Sequence, residues 1–237
     1  MFDWLINWFN NIGDKFYLNF IAEDRWLYLL NGFKTTIFIL LIALVIGILL
    51  GFLIAVIRST HDLSNKWKFA NFICNIYLTV IRGTPTVVQL MIIYFIVFAS
   101  VNLDKVVIAG IAFGLNSAAY VAEIFRSGIM SIDKGQMEAG RSLGFNYSQT
   151  MIRIIMPQAF KNVLPALVNE VITLFKETSV AGYIGIVDLT KAGDIIRSRT
   201  YDAFFPLITV ALIYLVIVII MTKLLGRLER RLRKGDR

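Results

Sequence analysis

Long apolar runs separated by short polar stretches dominate this chain. Residues 37–57 are 21 consecutive residues without a charged or strongly polar side chain, and residues 203–222 are 20 without a charge. Each run is long enough to cross a hydrocarbon core of about 30 Å as a helix. Hydrophobic residues make up 57% of the 237, far more than in a soluble domain. We therefore predict an all-α integral membrane protein without a separate soluble domain.

The apolar pattern predicts about five membrane spans, near residues 34–57, 86–101, 106–125, 156–175 and 203–222. The fourth is the most polar of them. Ahead of the second span, an apolar helical pattern over residues 67–81 runs into Arg82-Gly83-Thr84-Pro85. Proline lacks a backbone donor and disfavours helix at the preceding residue. We therefore expect a membrane helix to break or restart at this point.

Lysine and arginine are distributed unevenly between the two sides that five spans define. With the N-terminus outside, the loop at 58–68, the polar region from Arg126 to Pro157 and the C-terminal stretch from Lys223 onwards carry 14 of the 24 basic residues, against eight outside. Positive charge favours the cytoplasmic side, so we predict that the N-terminus is outside and the C-terminus is cytoplasmic. The predicted divisions are an amphipathic, aromatic-rich segment at 1–30, a transmembrane domain at 31–226 and a basic cytoplasmic tail at 227–237.

One polar stretch, from Asp133 to Pro157, interrupts the apolar pattern between the third and fourth spans. Asp133 can cap a helix, with Gln136 three residues later to complete the cap. Gly144 can end that helix, and a second helical run then leads to Pro157. The pattern predicts a short helix, a glycine turn and a second helix, which together contact a partner in water.

The same stretch resembles the EAA loop of ATP-binding-cassette importer permeases. The matching positions are Glu138, Ala139, Gly140, Gly144, Ile154, Met156 and Pro157. Gly140 stands where the family pattern has alanine, and Met156 where it has leucine. The resemblance implies that this loop, 131–157, is the coupling helix that docks into a groove on a cytoplasmic ATPase. Its expected coupling residues are Glu138, Ala139, Gly140, Gly144 and Pro157.

Two further segments are similar to the polar amino-acid uptake subfamily of these permeases, the histidine, arginine or glutamine type. They are Arg82-Gly83-Thr84-Pro85 with Gln89-Leu90 behind it, and the run from Asn116 to Glu123. The resemblance implies a multi-pass protein of the bacterial plasma (inner) membrane that works by alternating access. Implied partners are a second permease, identical or related, two ATPase subunits that bind ATP and Mg, and an extracellular or periplasmic amino-acid-binding protein.

We do not expect this chain to be an enzyme by itself. It has no glycine-rich phosphate loop ending in Gly-Lys-Ser or Gly-Lys-Thr, and His61 and Cys74 are its only histidine and cysteine. Metal clusters and most hydrolytic chemistry are therefore not expected, and no cofactor is expected in this chain. If ATP drives transport, a separate ATPase subunit must hydrolyse it.

Eight polar residues in the third and fourth spans are the candidates for lining a substrate site: Asn116, Ser117, Tyr120, Glu123, Lys161, Asn169, Glu170 and Thr173. A carboxylate at bilayer depth costs at least ~2.5 kcal/mol, so Glu170 needs a cavity, a nearby lysine or a cationic ligand. Two acids in the spans favour a basic amino acid as the substrate. The alternative is that these residues only join helices or form a dimer interface.

A different class of protein also fits the intramembrane acids. A secondary transporter or a channel-like protein could use Glu170 and Glu123 as an ion or proton path. Such carriers usually hold both inverted repeats in one chain, and no internal repeat is visible here. The permease interpretation is therefore the leading one.

Overall fold

The computed structural model describes residues 12–233, and every regular element in this range is helical. The principal helices are α1 (Trp26–Ser64), α2 (Lys68–Gly83), α3 (Thr86–Ile92), α4 (Lys105–Met130), α5 (Lys134–Ser142), α6 (Tyr147–Thr150), α7 (Met156–Glu177), α8 (Leu189–Thr200) and α9 (Phe204–Arg233). Short π-helical turns follow α3 and α6, and the 3-10 turn Thr178–Ile184 joins α7 to α8. The predicted all-helical class is confirmed.

Within the described range, α1, α4 and α9 are long and apolar enough to cross a membrane. The pair formed by α2 and the α3 region makes a fourth candidate, bent by 111° at its break. α7 occupies the predicted fourth span, but its polar side chains keep it out of this set. The integral membrane class is therefore established, whereas the count of five spans stays a prediction.

α1 and α4 form the central pair of the fold, and small residues let them approach closely. A Cβ on Gly47 would lie 3.2 Å from the Cβ of Ser117, and one on Gly51 would lie 2.7 Å from that of Val121. These two glycines, four residues apart, lie on one face of α1 and let α4 pack closely against it. Since contact positions rise together along both helices, α1 and α4 run parallel.

α7 packs on α4 in the opposite direction. Ser117 contacts Glu170 near the middle of both helices, at 2.7 Å, and Gly128 lies against Val163 further along α4. Contact positions therefore rise on α4 as they fall on α7, which makes the two helices antiparallel. This arrangement places Glu170 of α7 beside α4.

The predicted helix break at Arg82 to Pro85 is confirmed. α2 ends at Gly83 and α3 begins at Thr86, and Pro85 between them has an extended backbone with φ −65° and ψ 136°. The bend means that α2 and α3 lie in different directions although only two residues separate them. Because α1 and α4 are parallel, this bent pair must carry the chain back from the end of α1 to the start of α4.

The predicted loop at 58–68 is wrong for most of its length. α1 continues through it, and only residues 65–67 separate α1 from α2. Arg58, which had been counted as a loop charge, pairs with Glu123 of α4 at 2.9 Å. The helix continues because its charges meet partners on a packed neighbour, a compensation that hydropathy along the chain cannot reveal.

The first and last membrane helices are longer than the predicted spans. α1 begins at Trp26 and has 39 residues, so it is about 58 Å long and starts inside the segment predicted to lie outside the transmembrane domain. α9 has 30 residues and continues to Arg233, into the predicted basic tail. Trp4, Trp8 and Phe9, on which the N-terminal prediction partly rests, lie outside the described residues.

A polar contact joins the N-terminal segment to the turn between α8 and α9. The buried Asn19 donates to Asp202 at 3.2 Å, and its side-chain oxygen accepts from Thr200 at 2.8 Å. Phe16 and Tyr17, by contrast, are 51% and 61% exposed, as suits aromatic residues at a membrane interface. The segment is thus held on one side and offers aromatic side chains on the other.

Candidate functional site: a coupling loop and an intramembrane cavity

The polar loop between α4 and α7 forms the predicted helix, turn and second helix. Asp133 caps α5 by accepting from the amide of Gly135 at 2.7 Å. Gly144 has a φ of +86°, a conformation that favours glycine, and the backbone turns there. The reciprocal cap falls at the start of α6, where Asn146 and Gln149 exchange two hydrogen bonds of 2.9 Å. The sequence analysis had placed this cap one helix too early, at Asp133.

Gly140 faces the protein, which accounts for the glycine at the family's alanine position. A Cβ at Gly140 would lie 2.5 Å from Cγ2 of Thr150 and 3.0 Å from Cδ1 of Ile154. α5 therefore packs directly on the following helical segment, and the loss of helix propensity is offset by close contact. Gly140 therefore allows α5 to pack closely against the segment that contains Thr150 and Ile154.

The opposite side of α5 faces solvent. Glu138 and Ala139 are exposed, and Leu143, just before the glycine turn, is 76% exposed. Ala139 and Leu143 are four residues apart and therefore lie on one side of the helix, so this side offers an exposed apolar pair for a partner protein. Leu143 was not among the predicted coupling residues, although an apolar residue next to the turn glycine was a visible signal. Pro157, exposed at the start of α7, closes the loop.

A cavity of about 690 Å³ lies between the C-terminal half of α4 and the N-terminal half of α7. Its polar lining residues are Arg82, Tyr120, Glu123, Ser127, Ser131, Asn162 and Glu170. Three of the eight candidate substrate residues, Tyr120, Glu123 and Glu170, thus meet at one cavity. The cavity combines acidic, basic, amide and hydroxyl groups, which can bind both ends of a zwitterion.

Glu170 is the acid of this cavity that lacks a described ion pair. Within the described part of the chain, its hydrogen bond comes from Oγ of Ser117 at 2.7 Å. The cavity wall includes Asn162 but, of the described residues, not its neighbour Lys161. A half-buried carboxylate at membrane depth with one neutral donor favours a cationic partner.

Glu123, in contrast, is already surrounded by arginines. Its carboxylate contacts Arg58 at 2.9 Å, Arg126 at 2.6 Å and Arg82 at 3.9 Å. Arg126 also reaches Asp62 of α1 at 3.1 Å. The cluster holds three arginines and two carboxylates, so its net charge is positive. The sequence analysis treated Glu123 and Glu170 as equivalent acids. The structure shows that they are not, because the arginines surround Glu123 alone.

Arg82 enters the cavity from the helix break. Its guanidinium is the most distant of the three from Glu123, at 3.9 Å, and it stacks over the ring of Tyr120 with 5.9 Å to the centroid. The side chain is 45% exposed. A stacked, loosely paired arginine can bind a carboxylate in two-pronged fashion.

Asn116 lies away from the cavity and helps to hold the helix break. Its side-chain nitrogen donates to the amide oxygen of Gln89 at 2.8 Å. Gln89 in turn donates to the carbonyl oxygens of Ile81 and Thr84 at 2.7 and 3.0 Å. The last carbonyls of a helix lack intrahelical donors, so Gln89 caps α2 and joins the break to α4 through Asn116.

Asn169 and Thr173 are exposed on the surface of the single chain. They follow Asn162 along α7 at helical spacing, so the three side chains lie on one face. Exposed polar groups at membrane depth normally face protein or water. This face of α7 is therefore suited to a second permease or to a shared aqueous path.

The sequence analysis missed Arg58 and Arg82 as parts of this site. Arg58 follows an apolar run and was taken for a loop residue, while Arg82 was treated as part of the segment at the predicted helix break. Both meet Glu123 only after folding. The one local signal was that Arg82 immediately precedes a predicted break, where a side chain can leave the helix surface.

These features define a membrane-embedded transport subunit, with a polar cavity inside the helices and an exposed helix for a partner outside them. Residues 47–234 match the model of the family described as binding-protein-dependent transport system inner membrane component. The chain belongs to this family.

Curated relatives cover most of the chain. It is 40% identical over 211 residues to the arginine transport system permease protein ArtQ of Bacillus subtilis, which spans 88% of this chain and 94% of the relative. It is 34% identical over 234 residues to the putative glutamine transport system permease protein GlnP of Rickettsia felis, with 98% and 99% covered. It is 36% identical over 214 residues to the L-cystine transport system permease protein TcyB of Bacillus subtilis, with 90% and 89% covered.

Solved structures agree with the fold. A chain from the crystal structure of an amino acid ABC transporter with histidines superposes with a TM-score of 0.79 at 40% identity, covering 90% of this chain and 98% of that one. A chain of the inward-facing MetNI methionine ABC transporter gives a TM-score of 0.67 at 21% identity, with 89% and 95% covered. The second likeness supports the fold alone.

Proposed function

We propose that this chain is the transmembrane permease subunit of an ATP-driven importer for polar amino acids, with basic amino acids preferred. The observation that carries the proposal is the cavity in which Glu170 and Arg82 present opposite charges. An amino acid has an ammonium group that needs an acceptor and a carboxylate that needs donors. The relatives described above are permeases for arginine, glutamine and cystine systems, which are all polar amino acids.

The charges of the cavity support a preference for basic substrates. Glu123 is neutralised by arginines, and Arg82 is available to the substrate carboxylate. Glu170 then meets either the α-ammonium group or a cationic side chain. Low dielectric strengthens attraction to cations and repulsion of anions at such a carboxylate, so glutamate and aspartate should be poor substrates.

The coupling loop supports a separate ATPase as the source of energy. In this proposal the exposed side of α5, with Glu138, Ala139 and Leu143, docks on a cytoplasmic ATPase that binds ATP and Mg. Gly140, Gly144 and Pro157 set the geometry of the loop. Two ATPase subunits, a second permease and an external amino-acid-binding protein complete the importer, and ATP binding moves it between inward-facing and outward-facing states.

The helix directions support five crossings of a bacterial plasma membrane, with the N-terminus outside. α1 and α4 run parallel, α7 runs against them, and the bent pair of α2 and α3 returns the chain between α1 and α4. Adding α9 gives five. The basic residues then lie mainly inside, as the charge rule requires.

Cysteine labelling tests this topology. In a Cys74→Ala background, which removes the only native cysteine, an Asp14→Cys variant should react with an impermeant maleimide added to intact cells. Asn146→Cys should react only in inside-out vesicles. Both positions are exposed in the structure, so access depends on the side of the membrane. Labelling of Asn146→Cys in intact cells would overturn the five-span arrangement.

The function itself is tested by reconstitution with the cognate ATPase and binding protein in proteoliposomes, followed by uptake of a panel of labelled amino acids. We expect ATP-dependent uptake, strongest for arginine, lysine or histidine, weaker for glutamine and cystine, and weakest for glutamate. Omission of the ATPase is the control and should abolish uptake. Concentrative uptake that needs an ion gradient but no ATPase would instead support the secondary-transporter alternative, which the family membership does not favour.

A further inference from the structure

A second cavity, of about 470 Å³, lies outside the substrate site. It is a groove between the C-terminal part of α1 and the segment that connects α5 to α7. One wall is a single face of α1 that changes from apolar to hydroxyl-bearing along its length: Phe52, Val56, Thr60 and Ser64. The wall ends at Lys66 and Trp67 in the turn after α1.

The opposite wall has the same gradient. Tyr147 and Ser148 line its polar end, and Met151, Ile152 and Met156 line its apolar end. The hydroxyl of Tyr147 lies close to Thr60, so the polar ends of both walls coincide. Ile152 is 68% exposed. The groove is therefore apolar at the membrane side and polar at the side of the α1–α2 turn.

Two features at the polar end point to an anionic, hydrogen-bond-accepting ligand. Lys66 is the one charged side chain among the described residues that line the groove. The exposed Ser148 lies at the same end, and its hydroxyl can donate a hydrogen bond to a phosphate oxygen. Trp67, 54% exposed, is of the type found at the headgroup level of membranes.

We propose that this groove binds an anionic phospholipid of the cytoplasmic leaflet. The phosphate lies at Lys66 and Ser148, and an acyl chain follows the apolar ends of both walls. The assignment of the leaflet rests on the N-outside orientation given under the proposed function. The length of α1 agrees with it, since a helix of 39 residues exceeds the ~20 needed to span the hydrocarbon core.

The groove adjoins the coupling loop, so a lipid bound there can affect coupling to the ATPase. Tyr147 to Met156 is the segment on which α5 packs, through Gly140 and Thr150. A bound lipid would brace this segment against α1 while α5 contacts the ATPase. Anionic lipid should therefore increase the ATP hydrolysis of the complete transporter.

The test uses the permease with its ATPase in nanodiscs of phosphatidylcholine with and without phosphatidylglycerol. Retained phosphatidylglycerol is counted by native mass spectrometry, and ATP hydrolysis is measured on the same samples. We expect Lys66→Gln to retain phosphatidylglycerol about fivefold more weakly, as for loss of one lysine near an anionic surface. Ser148→Ala, which removes the exposed hydroxyl and leaves Tyr147 in place, should also retain less, and both variants should lose the stimulation by phosphatidylglycerol.

Lys223→Gln is the matched control, because it removes a lysine from exposed α9 and leaves the groove intact. Equal retention in the Lys66→Gln and Lys223→Gln variants would overturn the proposal. So would a crosslink from Trp67→Cys to the ATPase or to a second permease, since a protein would then cover the groove. Arginine uptake is measured separately, in liposomes made from the same lipid mixtures. If arginine is taken up but the transporter shows no preference for phosphatidylglycerol, only the lipid site is rejected. If the preference for phosphatidylglycerol is present but arginine is not taken up, only the substrate assignment is rejected.

Discussion

Replacing Glu170 by glutamine is expected to lower the uptake of a basic amino acid about tenfold, or ~1.4 kcal/mol in transition-state or binding free energy. The substitution keeps the shape of the side chain and its contact with Ser117, so it isolates the charge. Arg82 is left to bind the substrate carboxylate, whereas the cation loses its partner. The ratio of arginine uptake to glutamine uptake in proteoliposomes is the measurement, and it should fall.

Asp14→Asn is the control for this prediction. Asp14 is an exposed carboxylate in the N-terminal segment, and it is not among the described residues that line the cavity. The same chemical change there should leave the arginine-to-glutamine ratio unaltered. If Glu170→Gln retains full activity with an unchanged ratio, or if the native protein prefers glutamate, the carboxylate only joins α7 to α4.

Substituting valine for Gly144 is expected to uncouple the permease from its ATPase. The backbone at Gly144 has a φ of +86°, and a non-glycine residue held in such a region costs roughly 1–3 kcal/mol. No atom lies within 4 Å of where a Cβ would be, so the cost comes from the backbone and not from a clash. We expect ATP-driven uptake and co-purification of the ATPase to fall about tenfold or more, with membrane insertion retained.

Gly144→Asn provides a sharp comparison, because asparagine tolerates the left-handed conformation far better than valine. Since the space around the position is open, its side chain should fit, and this variant should retain most coupling. Equal ATPase association in the native, valine and asparagine forms would show that the turn does not contribute to docking.

Local patterns in the sequence determined the class of the protein and the form of its coupling loop. Apolar runs long enough to span a membrane, the proline at the α2–α3 break and the glycine at position 144 each act through residues within one or two helical turns. Their effects on backbone geometry are therefore visible in the chain itself. The close packing of Gly47 and Gly51 was also predictable, because two glycines four residues apart fall on one helix face.

Only the tertiary structure decided which polar residues belong to the cavity. Arg58 and Glu123 are distant in sequence, yet their charged groups lie 2.9 Å apart. Because of this ion pair, the segment predicted as a loop is helical, and one of the two intramembrane acids is neutralised. Asn116 was predicted to line the substrate site, but its hydrogen bond to Gln89 shows that it supports the helix break instead. The cost of a charge or an amide in a membrane depends on its nearest polar neighbours, and those neighbours come from other helices. The sequence therefore shows that such groups need partners, and the packing of the helices selects them.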